Sequence, residues 1–213
     1  MRFFSILFLF SAFFNVGCVS SNSNKTPEIT FDGLVQQKNT AFKRVWAAPN
    51  IDLSLYKSII PKKADISFRA TRGRGSQSNG FPVTDIQKQA LIDIIGTVLL
   101  EEISANQRFK LSDTPGPDTL ILDVSLLDIV SLVPPEVRGR GDIYLSRIGE
   151  ITLVLELRDS SSGEVLLRAA ERGVAEPAGS RYRLASRVTN RSEVQRLARR
   201  WGIKIRKGLN AIE

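Results

Sequence analysis

The sequence predicts an α+β domain: one mixed, mostly antiparallel sheet with two helices packed on one face, in the order β-α-β-β-β-β-α. Three observations carry this. Apolar residues recur at helical spacing in two stretches, 84–103 and 190–209. Strict alternation marks a hairpin at 151–169, and a dense aliphatic run at 120–133 stops at Pro134-Pro135. The first helix lies between extended segments, so this crossover should produce at least one parallel pairing.

In chain order, Thr30-Phe31-Asp32-Gly33-Leu34 marks the first ordered turn, and Phe42–Trp46 a short strand stopped by Pro49. Residues 55–69 form an extended segment alternating at Ile60, Lys62, Ala64, Ile66 and Phe68, with Pro61 marking an edge or bulge. Gly, Ser and Arg dominate 71–80, a loop. The first helix starts at Thr84, an N-cap that Gln87 completes as a capping box. Ile86, Ala90, Leu91, Ile94, Ile95, Val98, Leu99 and Ile103 form its apolar stripe. Phe109 and Leu111 predict a short strand, closed by Pro115-Gly116-Pro117. The run 120–133 reads as a buried central strand, and 136–146 as a loop. Ile151, Leu153, Leu155 and Leu157 then face one way, and Asp159–Gly163 turns the chain toward Val165, Leu167 and Ala169. Residues 173–186 look irregular. The last helix is placed near Asn190, with Glu193 at the capping-box position and Val194, Leu197, Ala198, Trp201, Ile205 and Leu209 as its stripe.

Ahead of this domain, Arg2 precedes an apolar run, Phe3–Phe14, which ends in Asn15-Val16-Gly17-Cys18. A basic start, an apolar stretch and a small residue form the layout of a secretory signal, too short to span a bilayer. It resembles the bacterial lipoprotein signal, with Asn15 where Leu is usual. That resemblance implies cleavage after residue 17 and acylation of Cys18. Val19 stands where an inner-membrane retention signal would place Asp, so the expected location is the cell envelope, on the outer membrane facing the periplasm. Residues 18–29 form an acylated cysteine and flexible tether, and 30–213 a single α+β domain.

Thirty basic and 22 acidic residues give the chain a charge of +8. On an exported, membrane-tethered protein this points to anionic lipid, an anionic polymer or an envelope protein rather than to nucleic acid. The chain has no histidine and only one cysteine. That excludes Ser-His-Asp and Cys-His catalysis, and no cofactor is implied. Carboxylate chemistry through Asp123, Asp128 and Glu156 stays open as an alternative.

Two basic features are the candidate contact sites. Arg72-Gly73-Arg74-Gly75 and Arg138-Gly139-Arg140-Gly141 could converge on one anionic ligand, glycine admitting backbone amides and arginine supplying paired donors. The second continues to Tyr144. The last helix carries Arg196, Arg199, Arg200, Lys204, Arg206 and Lys207 off its apolar stripe. Arg138, Arg140, Tyr144, Arg196, Arg199 and Arg200 are therefore the candidate anionic-ligand or partner-binding residues.

These segments together resemble the bacterial lipoproteins carrying domain of unknown function 3313. The matching pieces are Thr30–Leu34, Trp46 with Pro49, Tyr56, Ser131 with Pro134-Pro135, Gly139-Arg140-Gly141, Tyr144-Leu145, Gly149-Glu150, Leu153–Asp159 and Leu197–Trp201. The resemblance implies an exported lipoprotein and supplies no activity, ligand or catalytic residue. The expected role is a non-enzymatic binding or scaffold module. An accessory subunit of an envelope lipid or polymer transport or assembly machine is the narrower alternative.

Overall fold

The computed structural model describes residues 27–70, 80–134, 141–177, 179 and 181–212. Cys18, both Arg-Gly segments up to Arg140, and the signal lie outside them.

The expected α+β architecture is present. Strands β1 (Val35–Gln37), β2 (Arg44–Ala47), β3 (Ser58–Pro61), β4 (Asp65–Phe68), β5 (Lys110–Leu111), β6 (Thr119–Ser131), β8 (Gly149–Asp159) and β9 (Val165–Ala175) form one sheet. Their order is β1-β2-β9-β8-β6-β3-β5, and β4 pairs with β6 beyond the end of β3. β1, β2, β9, β8 and β6 are antiparallel in succession, while β3 and β4 run parallel to β6. That parallel pairing spans the crossover through α1 (Asp85–Ser104). A separate two-stranded ribbon joins β7 (Tyr144–Leu145) to β10 (Arg183–Leu184), just before α2 (Arg187–Asn210).

Both helices cover one sheet face. Ile59, Leu120, Leu122, Leu126 and Leu153 from the sheet meet Ile95, Val98, Leu99 and Ile103 of α1 and Leu197, Trp201, Ile205 and Leu209 of α2. The helices run side by side in the same direction: Asp93, midway along α1, and Arg191, near the start of α2, line one groove, and Gln107 beyond α1 bonds Asn210 at 2.9 Å. Gly202 lets them approach closely, since a Cβ there would lie 2.7 Å from Glu102 Cγ. Gly173 does the same between β9 and α2, where a Cβ would overlap Trp201 and lie 2.6 Å from Leu197 Cδ1.

Several expectations are corrected. The α1 cap at Thr84 and Gln87 is as expected, but Ile86 is 83% exposed and Ala90 is exposed too. These turns precede the level at which α2 comes alongside. The second helix begins one turn earlier than expected. Ser186 is its N-cap, accepting from Thr189 N–H at 3.2 Å while the Thr189 hydroxyl accepts from Ser186 N–H at 2.9 Å. Glu193 is therefore interior to α2 and buried. The segment 55–69 splits into β3 and β4, with Ile59 rather than Ile60 fully buried. Residues 173–186 are less irregular than expected, since they complete β9 and supply β10. β6 is buried on one face only: Leu120, Leu122, Val124 and Leu126 point to the helices, while Asp123 and Ser125 point away. A bulge between Leu127 and Val130 then shifts the phase and turns Ile129 inward. Glu28 and Ile29, at the end of the expected tether, already pair with β1.

Candidate functional site

The register places many features at one end of the sheet. β6 and β9 finish there, β8 starts there, and Phe81 pairs with Ser131. The β7–β10 ribbon and the starts of both helices sit at this end too. We call this the loop end; the opposite turn end carries the β8–β9 connection.

In the ribbon, Tyr144 stands directly across from Leu184. Both side chains are exposed, as are Tyr182 (73%) and Val188 (78%) on the first turn of α2. Leu145 turns the other way and packs on the core, which seats the ribbon. Arg181, Arg187 and Arg191, in the same stretch of chain, are exposed and make no ion pair among the described residues. Arg183 lies 3.9 Å from Glu193.

Glu193 explains part of the local order. Its side chain is 1% exposed, and Arg196 grips both its oxygens at 2.6 and 2.9 Å. Arg196 also donates to Glu176 O at 3.1 Å, and Arg200 to Val174 O at 3.0 Å. β2 stops pairing with β9 at Ala170, so these arginines satisfy carbonyls past that point, one in β9 and one just beyond its end. Farther along, Lys204 pairs with Glu171 at 2.6 Å and Arg206 with Glu102 at 3.4 Å. Much of the basic face of α2 thus holds the helix in place.

The sequence-predicted residues consequently divide. Tyr144 is exposed at the loop end. Arg196 and Arg200 are structural clasps near it. Arg199 lines a groove of about 520 Å³ between the helices, 3.7 Å from Glu101, together with Asp93, Thr97, Arg191 and Gln195. Arg138 and Arg140 lie outside the described residues. Sequence reasoning did not single out Arg181, Tyr182, Arg187 and Arg191; the basic–aromatic alternation at Arg181–Leu184 and the four arginines over 181–191 were the available signal.

The sheet face away from the helices carries the three strand acids. Asp123 and Glu156 are cross-strand partners and share Arg158, which lies 2.9 Å from Asp123. Arg168 joins Glu156 (2.6 Å) to Asp32 (2.7 Å). Asp128, at the β6 bulge with φ of 52°, is held by Arg69 and Arg172, and Arg172 continues to Glu150. The Arg69 hydrogen bond, with further help from Arg172, lowers the Asp128 carboxyl to about 2. Arg168, followed by Thr30, lowers Asp32 to about 2. These carboxylates stay ionised near neutrality and are occupied by arginines.

The family model described as "Protein of unknown function (DUF3313)" matches residues 23–205, so the chain belongs to that family. No curated protein matches it. Among solved structures, it is similar to a DUF330 protein of Xanthomonas campestris, at 10% identity over 75% of this chain and 86% of that chain, with a TM-score of 0.46. A PelC dodecamer of Paraburkholderia phytofirmans shares 12% identity over 76% and 97%, with a TM-score of 0.34. A candidate lipoprotein of Caulobacter crescentus shares 14% over 74% and 89%, with a TM-score of 0.33. No helix among the described residues is long and apolar enough to cross a membrane.

Proposed function

We propose that this member of the DUF3313 family is a lipid-anchored envelope protein, acylated at Cys18 on the outer membrane and facing the periplasm. Its domain docks an acidic partner protein through the loop end and carries out no chemistry of its own. The observation that carries this reading is that Arg181, Arg187 and Arg191 are all exposed in the same short stretch of chain as exposed Tyr182 and Val188, and that Leu184 in this stretch stands across from exposed Tyr144. Tyrosine and arginine are the side chains that anchor protein interfaces, since they add large contact area to directional donors. Unpaired guanidinium groups also steer an acidic partner toward the surface.

The fate of the strand acids supports binding over catalysis. Asp128 is clasped by Arg69 and Arg172, which hold its carboxyl low and unsuited to acting as a general acid. Asp123 and Glu156 are neighbours, and Arg158 pairs with both.

The test is affinity capture of the lipidated protein from detergent-solubilised membranes, comparing wild type with the Arg187→Glu, Arg191→Glu double variant. Both positions are exposed, so melting should not change. An acidic protein captured by wild type should be lost from the variant. Equal capture by both would contradict the proposal, and failure of the wild type to sediment with membranes would contradict the anchor.

A further inference from the structure

We infer that the Thr30–Leu34 turn seats on the bilayer that anchors the chain, with the Phe31 ring at the lipid interface. This rests on the Cys18 anchor proposed above. Phe31 is 98% exposed, the largest value for any large hydrophobic residue among those described. Its turn is nevertheless firmly built. Thr30 N–H donates to Leu34 O at 2.9 Å, and Gly33 N–H to Thr30 O at 3.0 Å. Gly33 takes a φ of 82°, which glycine adopts without steric cost. Leu34 is buried, and Asp32 is held by Thr30 (2.5 Å) and by two nitrogens of Arg168 (2.7 and 3.1 Å). The Arg168 guanidinium also lies 5.8 Å from the Phe31 ring centroid. This ordered turn therefore presents a phenyl ring to solvent from a fixed base, since Arg168 is spent on Asp32 and Glu156 and holds the turn in place.

Chain length names the occupant. Nine residues lead from Cys18 to Pro27, a reach of at most about 30 Å. Glu28 O accepts from Gln36 N–H and Ile29 bridges Val35, so the incoming chain runs along β1 and reaches the turn within a few residues. Ile29 is itself 66% exposed. Ile29 and Phe31 are thus the first large exposed apolar side chains among the described residues after the anchor. The register sets Val35 level with Ala47, Leu167 and Leu157, so the turn projects toward the turn end of the sheet. A domain resting on Phe31 directs its loop end away from the membrane, toward a partner in the periplasm.

The test uses the full lipidated chain in cells, with a benzophenone-bearing phenylalanine replacing Phe31, or replacing exposed Ile86 or Val188 as controls. Metabolic acyl labelling runs alongside. Irradiation should give lipid adducts at position 31 several-fold above either control. In an acyl-labelled chain, equal yields at the three positions, or a protein adduct at position 31 in place of lipid, would overturn the inference alone. A chain that takes no acyl label would overturn the anchor and the inference with it.

Discussion

Replacing Gly173 with alanine probes how tightly α2 is pressed on the sheet. A Cβ at 173 would overlap Trp201 and sit 2.6 Å from Leu197 Cδ1 and 3.0 Å from Trp201 Cε2. Trp201 is 1% exposed and Leu197 2%, so neither side chain has open space to enter. Overpacking a filled core costs about 1–3 kcal/mol. Alanine also restricts the unfolded chain relative to glycine, which offsets about 0.4–1 kcal/mol. The clash involves a rigid ring, so the upper part of the range applies, leaving a net loss of about 2 kcal/mol. For a domain of this size that lowers the melting temperature by roughly 4–8 °C. Urea unfolding should show a lower midpoint with an unchanged slope. The Gly173→Ala, Trp201→Leu double variant should lose less than the sum of its parts, because the smaller side chain relieves the overlap. A neutral Gly173→Ala, or strict additivity, would refute the packing argument.

Three further outcomes follow from the same geometry. Arg168→Met should cost about 1–3 kcal/mol in urea unfolding, because it leaves the partly buried Glu156 and Asp32 without their shared cation. Asp32 and Asp128 have carboxyls lowered to about 2 from 3.8. Their stabilisation is complete above about pH 4 and lost as pH falls through 2, because the unfolded chain takes up protons first. Unfolding midpoints measured between pH 5 and 2 should fall over that window, and Arg168→Met should flatten the Asp32 part of the fall. Ser186→Ala should cost about 1 kcal/mol if Ser186 is the N-cap of α2. The same change at Asn190 tests the alternative helix start, and a larger loss there would contradict the assigned cap.

The fold was legible wherever local chemistry and tertiary packing agreed. Thr84 and Gln87 cap α1 because the capping box is built from neighbouring residues. The alternation of Ile151 to Leu157 survives because β8 has one covered and one open face. Errors arose where a competing local cap or a distant element decides. Glu193 fits a capping-box position, yet Ser186 with Thr189 starts the helix earlier, leaving Glu193 inside it beside Arg196. Ile86 lies on the helical stripe, but α2 does not reach that turn. The aliphatic density of β6 masked its one-sided burial, although Asp123 and Ser125 alternate within it, and the bulge at Asp128 has no local signature. β1 and the ribbon were too short to stand out. At the candidate site, Tyr144 is exposed as expected, but helical spacing cannot show that Arg196 and Arg200 donate to carbonyls at the end of β9 and just beyond it.

The most direct test of the proposed role places a photo-reactive residue at Tyr182 in the lipidated chain and irradiates intact cells. The expected result is one discrete adduct with an acidic envelope protein, lost when Arg187 and Arg191 are changed to glutamate. An adduct that persists in the charge-reversed chain, or no discrete adduct at all, would contradict docking through the loop end.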